Sequence, residues 1–171
     1  MHHVVQNGNQ RAKEDMTPAL KSCPLGAYDA DPRRLAWAAG LMDGDGCVFI
    51  SKQKQKGRKN ATYRLCVSVV QNCHDTISRF REVLGLRACL VPVRRTSQHN
   101  RRVYSLQYDG VHALRVLQLL KPDLYRKATE AGVAIEAWTE CAMGILPGCA
   151  GLPDSVWRAR EYYYKKLRRL K

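Results

Sequence analysis

The order of elements along this chain predicts an α+β fold, with a four-stranded antiparallel sheet that gives one face to helices and the other to solvent. Three observations carry that expectation. Apolar and polar side chains alternate through TYRLCVSVVQ and again through VYSLQYD, the two-residue period of half-buried strands. Each of these runs is preceded by a second strand-like run across a short polar loop, GRKN in the first case and TSQHN in the second. Between and after the two hairpins the pattern becomes helical and is bounded by caps and breakers.

Residues 1–30 carry no periodicity and include Gly8, Pro18, Pro24 and Gly26, which predicts a poorly ordered arm ahead of a single domain over residues 31–171. Asp31-Pro32 reads as an N-cap followed by proline at the first helical position, so a helix is expected from about Arg33 to Gly44. The first hairpin pairs CVFISKQKQK with TYRLCVSVVQ. In its second strand Tyr63, Leu65, Val67 and Val69 form a core face, and Thr62, Arg64, Cys66 and Ser68 a polar one. DTISRFREVLG is expected to be a helix capped by Asp75 and stopped by Gly85. RACLVPVRR and RRVYSLQYDG make the second hairpin, with Tyr104, Leu106 and Tyr108 alternating against Val103, Ser105 and Gln107. VHALRVLQLLK reads as a helix ended by Pro122. DLYRKATEAGVAIEAWTECAMGIL follows as one longer helix ending near Pro147, and PDSVWRAREYYYKKLRRLK as a basic C-terminal helix.

At 171 residues with 45% hydrophobic content, the chain has material for one compact domain with a core. Its 29 Lys and Arg against 15 Asp and Glu leave a net charge of +14, and that excess calls for a negative partner. Nucleic acid fits best, because the basic residues alternate with Gln, Ser, Thr and Tyr in strand-like segments rather than lining an amphipathic helix. No apolar run spans a bilayer, no signal-peptide core opens the chain, and the seven cysteines are odd in number with no CxxC pair. These features predict reduced thiols in an intracellular protein, with organelle, nucleus and prokaryotic cytoplasm equally compatible. Cys73-His74 lacks further ligands nearby, so structural zinc is not expected.

The stretch LAWAAGLMDGDG, residues 35–46, concentrates the chemistry. Ala36, Gly40 and Gly44 recur every four residues and so line one side of a helix, where a second helix backbone could approach closely, or where small residues fill a tight core. Asp43 and Asp45 fall at the C-terminal end of that helix, where acid is unfavourable by about 0.3–1 kcal/mol against the helix dipole. Turn formation is one account of them, since Asp-Gly favours turns. A divalent cation held by carboxylate and backbone carbonyl oxygens is the other. An EF-hand is excluded, because it would need an oxygen ligand at Cys47, glycine at Val48 and glutamate at Lys54. So few protein ligands suit a cation such as Mg2+ that keeps waters and completes its shell with phosphate.

AAGLMDGDG resembles the signature of the LAGLIDADG homing endonucleases. Ala39, Gly40, Leu41, Asp43, Asp45 and Gly46 match it, and Gly44 replaces its small alanine. The likeness covers roughly residues 32–145 and implies an αββαββα core with a four-stranded DNA-binding sheet, to which this chain adds extra C-terminal helices. It implies an intron-encoded endonuclease that needs Mg2+ or Mn2+ and cuts both strands of a long pseudo-palindromic site, leaving short 3′ overhangs. With one motif copy the chain is expected to act as a homodimer joined along Ala36, Gly40 and Gly44. By the resemblance, Asp45 and the Gly44 carbonyl hold the metal, Gln71 orders water beside it, and Lys127 offsets charge at the scissile phosphate. Asp75 stands where the family often has Arg or Lys, so either the basic role moves to His74 or Arg79 or it is missing.

On parity, Ser51, Gln53, Gln55, Arg64, Ser68, Ser105 and Gln107 are expected to face DNA. Lys52, Lys54, Lys56, Arg58 and Lys59 near the first hairpin tip join them, as do Arg94, Arg95, Arg101 and Arg102 near the second. An intron-RNA-binding maturase and a non-cleaving DNA-binding regulator are the alternatives the same fold supports.

Overall fold

Asp31 sets the first helix in place: its carboxylate accepts a hydrogen bond from the Arg33 amide at 3.0 Å, and Pro32 occupies the first turn. In this computed structural model the described residues are 31–54, 56, 60–86, 88–92, 103–145 and 151–171, so the expected arm over residues 1–30 lies outside them. Helix α1 spans Pro32–Asp45 and passes directly into strand β1, Gly46–Gln53. Gly46 makes that junction possible, since a Cβ there would collide with the Met42 sulfur and carbonyl. Strand β2 follows as Thr62–Gln71, helix α2 as His74–Leu84, and the short second hairpin as β3, Cys89–Pro92, and β4, Tyr104–Asp109. Helix α3 covers Val111–Leu120, a 3-10 turn covers Lys121–Asp123, and α4 and α5 cover Ala128–Glu140 and Asp154–Arg169. No helix among the described residues is long and apolar enough to cross a membrane.

The four strands form one antiparallel sheet in the order β1-β2-β4-β3. Its inner face buries Val48, Ile50, Leu65, Val67, Val69, Leu106 and Tyr108 against the helices, as the alternation predicts. Helix α2 supplies Ile77, Phe80, Val83 and Leu84, and α3 supplies Leu114, Val116, Leu117 and Leu120.

Three local expectations are corrected. Cys73, not Asp75, is the N-cap of α2; Asp75 lies inside the first turn, where its charge favours the helix dipole, and Gly85 closes the helix at φ 60°. Asp123 closes the 3-10 turn and residues 124–127 are irregular, so the long helix starts only at Ala128, and it ends at Glu140 rather than near Pro147. Cys66 sits on the polar face by register, opposite Phe49 and Asp109, yet is 1% exposed. A small thiol is covered there by its longer polar neighbours, and burial is the first cause pushing its pKa up to about 12.

Helix α5 flanks the sheet edge at β1. Glu161 accepts hydrogen bonds from Lys52 Nζ at 2.7 Å and from the Tyr63 hydroxyl. Farther along, Lys171 Nζ reaches Cys47 Sγ at 2.9 Å. The helix is fastened to α4 by Arg160, which is 2% exposed and donates to the carbonyls of Cys141, Ala142 and Ile145 at 3.0, 2.5 and 3.2 Å. These are the carbonyls just past the end of α4, which a buried guanidinium satisfies together. Replacing Arg160 by alanine strands these acceptors. The expected cost is about 3 kcal/mol, read as a lower urea midpoint at unchanged slope.

Candidate active site and nucleic-acid interface

Asp45 is the last residue of α1 and Gln71 the last of β2, and the Gly46-to-Val69 register of β1 with β2 brings those two ends together. Gln71 Nε2 donates to Asp45 Oδ2 at 2.8 Å, while its Oε1 accepts from the Asn72 amide at 2.8 Å. The amide is therefore held at both ends, with its nitrogen toward the acid. Asp45 is exposed, so the carboxylate remains open to a ligand.

Asp43 has a different task, and neither of the two sequence accounts, turn or cation, describes it. Its carboxylate accepts three backbone hydrogen bonds, from Tyr125 at 2.8 Å, Arg126 at 3.2 Å and Lys127 at 2.9 Å. Those amides lead into the first turn of α4, whose N-cap is Lys127. A carboxylate there both satisfies free donors and meets the positive end of the helix. Desolvation pushes the Asp43 pKa up, but the three amides and the nearby Lys127 charge outweigh it and leave the pKa lowered. Lys127 is 9% exposed, with Nζ 4.0 Å from Glu130. The clasp thus ties the loop carrying Lys127 to the end of the helix carrying Asp45. Only the residue pair Asp43 and Lys127 was needed to see it, but no local pattern in the sequence links positions so far apart.

Register settles which side chains share the outer sheet face. Ser51 pairs with Arg64, Gln53 with Thr62, Ser68 with both Cys47 and Gln107, and Ser105 with Val70, which puts Ser51, Gln53, Arg64, Ser68, Ser105 and Gln107 on one side. Lys52 pairs with Tyr63 and so belongs to the opposite face, where Glu161 holds it. Lys54 and Lys56 are exposed beyond β1. Gln55, Arg58, Lys59, Arg94, Arg95, Arg101 and Arg102 lie outside the described residues. Asp109, which sequence reading passed over, also lies on the outer face, 3.9 Å from Arg64.

Along α1, Ala38, Ala39 and Met42 are buried, whereas Ala36, Gly40 and Gly44 are exposed, and a Cβ on either glycine would meet nothing within 4 Å. Of the two groups named to stand in at Asp75, Arg79 lies over the Trp37 ring of α1 at 5.0 Å. His74 sits edge-on to Tyr104 at 5.0 Å, with its Nδ1 3.5 Å from Asp75. Among the described residues no three His, Cys, Asp or Glu side chains converge on a metal position. At the end of α1 the Asp43 carboxylate is engaged and that of Asp45 is open, a donor set that fits a hard cation completing its shell with water and phosphate.

An αββαββα chain folded on a four-stranded antiparallel sheet, with an acid-terminated helix passing straight into its first strand, has the fold of the LAGLIDADG homing endonucleases. No family model matches the sequence, and no curated protein matches it. Among solved structures, the homing endonuclease I-CvuI in complex with its target in the presence of Ca superposes with a TM-score of 0.63 and 21% identity, over 81% of this chain and 82% of that one. The archaeal intron-encoded homing endonuclease I-Vdi141I complexed with DNA gives 0.63 and 13%, over 81% and 84%. The homing endonuclease I-TnaI gives 0.56 and 17%, over 80% and 94%. At these identities the likeness is one of fold.

Asp43→Ala is expected to cost about 1–2 kcal/mol of stability, as loss of a helix cap does. Because the folded pKa is lowered, the contribution of the charged clasp is present above the ordinary carboxylate value and fades as pH falls through the folded value. Urea unfolding of both proteins at pH 7 and near pH 3 checks this, with the difference between them shrinking at the acid pH.

Proposed function

We propose that the protein is a homodimeric, site-specific DNA endonuclease that needs a divalent metal, Mg2+ or Mn2+, to hydrolyse phosphodiester bonds in both strands of a long pseudo-palindromic site. The observation that carries this reading is the Asp45 carboxylate, open to solvent and oriented by Gln71 at the end of α1, with the Lys127 loop clasped to the same helix end. The outer sheet face adds Arg64, Gln107, Gln53, Ser51, Ser68 and Ser105, donors and acceptors suited to base edges in a major groove. The neighbouring folds in complex with DNA support a duplex partner.

Within that reading each group has a distinct part. Asp45, with the Gly44 carbonyl, would hold the cation, which when bound supplies an activated water and relief of charge on phosphate. Gln71 holds one Asp45 oxygen and has a second N–H left to orient water. Lys127, largely shielded from solvent, offers a positive charge in a low-dielectric setting to the phosphate oxygen that gains charge. Two copies of the exposed Ala36, Gly40 and Gly44 face would pack together and set one Asp45 against each strand, so that two-fold symmetry in the protein is matched by symmetry in the target. Encoding within an intron and short 3′ overhangs belong to the same reading.

Asp45→Asn is expected to retain dimerisation and DNA binding while strand cleavage in Mg2+ drops below detection; a mutant that cleaves at the wild-type rate would overturn the role of Asp45. Gly40→Leu has open space within its own subunit, so its fold should persist while the dimer weakens. Sedimentation should then show monomer at concentrations where the wild type is dimeric, with an unchanged thermal midpoint for the monomer as the control.

A further inference from the structure

Among the described residues whose register puts them on the outer sheet face, Asp109 is the only acid. A carboxylate on a surface meant for a polyanion is unfavourable unless it is used. Helix capping does not account for it. Gly110 is the N-cap of α3, no side chain caps that helix, and the turn is secured by the Gly110 amide bonding to the Leu65 carbonyl at 2.8 Å. The Asp109 side chain turns to the sheet face instead. There Gln107 Nε2 donates to its Oδ1 at 2.9 Å, and Arg64 Nη1 stands 3.9 Å from its Oδ2. These groups, with Ser51 and Gln53, line a shallow groove floored by Cys66.

The contact with Arg64 is longer than a hydrogen bond, and a carboxylate has about four acceptor sites, so with Gln107 and the Cys66 thiol as partners Asp109 keeps acceptor capacity toward the groove. The Asp109 side chain is 39% exposed and that of Arg64 60%, which leaves both within reach of a ligand. An ionised carboxylate can only accept. In the major groove cytosine presents an amino donor and no competing acceptor on the same base, whereas adenine sets its N7 acceptor beside its amino group and guanine offers acceptors alone.

Resting on the endonuclease reading above, we propose that Asp109 is a specificity-determining residue that selects a cytosine in each half-site by accepting a hydrogen bond from its N4 amino group. Gln107 steadies one oxygen while Arg64 keeps the charge local. From Gln71 at the candidate active site to Cys66, the cross-strand partner of Asp109, β2 runs roughly 17 Å at strand rise. That places the selected cytosine about five base pairs outward from the cleaved phosphates, at 3.4 Å per step.

The test is selection of bound duplexes from a randomised library in calcium buffer, followed by sequencing, with wild-type protein, Asp109→Asn and Asp109→Ala. The wild type should enrich cytosine at one position in each half-site. Both variants should lose that preference by about five- to tenfold, keep the other enriched positions, and bind unrelated duplex more tightly than the wild type. Cytosine enrichment unchanged in both variants overturns the role of Asp109, as does a wild-type profile with no such position. A wild type that enriches nothing removes the DNA-binding reading itself, and the proposal with it, and is told apart by the absence of every other preference. Thermal melts matching the wild type for either variant confirm that the comparison is between folded proteins.

Discussion

Three backbone amides converge on the Asp43 carboxylate, and much else in the molecule follows from that convergence. Acid at the end of α1 opposes the dipole of its own helix, but the same charge meets the beginning of α4, where dipole and free N–H groups favour it. The unfavourable end of one helix is offset at the favourable end of another. Because Asp43 is fully engaged in this way, Asp45 two residues on is left with Gln71 as its one hydrogen-bond partner among the described residues, and with an exposed carboxylate. Acid that would look redundant in sequence divides into a structural group and one left open to solvent.

A second set of ties holds the other side of the sheet. Glu161 draws Lys52 and Tyr63 of the first hairpin onto α5, and Lys52, followed by Tyr63, keeps its carboxyl below the usual value. Arg160, one residue earlier, closes α5 onto the end of α4. Helix α4 is thus clasped at its start by α1 and at its end by α5, and the sheet edge is braced through the same two helices. Under the proposed function, an outer face that presents side chains to a fixed pattern of base edges gains from a hairpin base anchored on its inner side.

Where sequence period and local caps decide structure, reading the chain succeeds: α1 with its Asp31 cap, the alternation in β2 and β4, and the Gly85 stop all stand as expected. The Asp45 and Gln71 pair was reached through resemblance, and the geometry joins them. What sequence reading missed depends on partners far away in the chain. Lys52 was grouped with the hairpin-tip cations by proximity, although parity alone assigns it to the Tyr63 face; the acid that claims it is on the last helix. Cys66 obeys parity but not burial, since covering a small side chain requires long neighbours on three strands. The late start of α4 follows from Asp43 capturing the preceding amides, which no local signal near residue 125 announces.

At position 75 this chain has aspartate where the resemblance leads to an expectation of arginine or lysine. In the first turn of α2, a carboxylate interacts favourably with the helix dipole, a local benefit that arginine or lysine there would forfeit. His74 partners Asp75 and Tyr104, and Arg79 is spread over Trp37 on the motif helix, so each has a structural occupation. Lys127 also has an acidic neighbour, Glu130 at 4.0 Å, but its loop is bonded directly to the helix that ends in Asp45 and its side chain is withdrawn from solvent. A cation with little water around it needs fewer companions to stabilise a developing oxyanion, since the screening that weakens surface charges is absent. Under the proposed function, loss of a basic group at position 75 is therefore compatible with phosphate chemistry at this helix end, where the Asp43 clasp places Lys127.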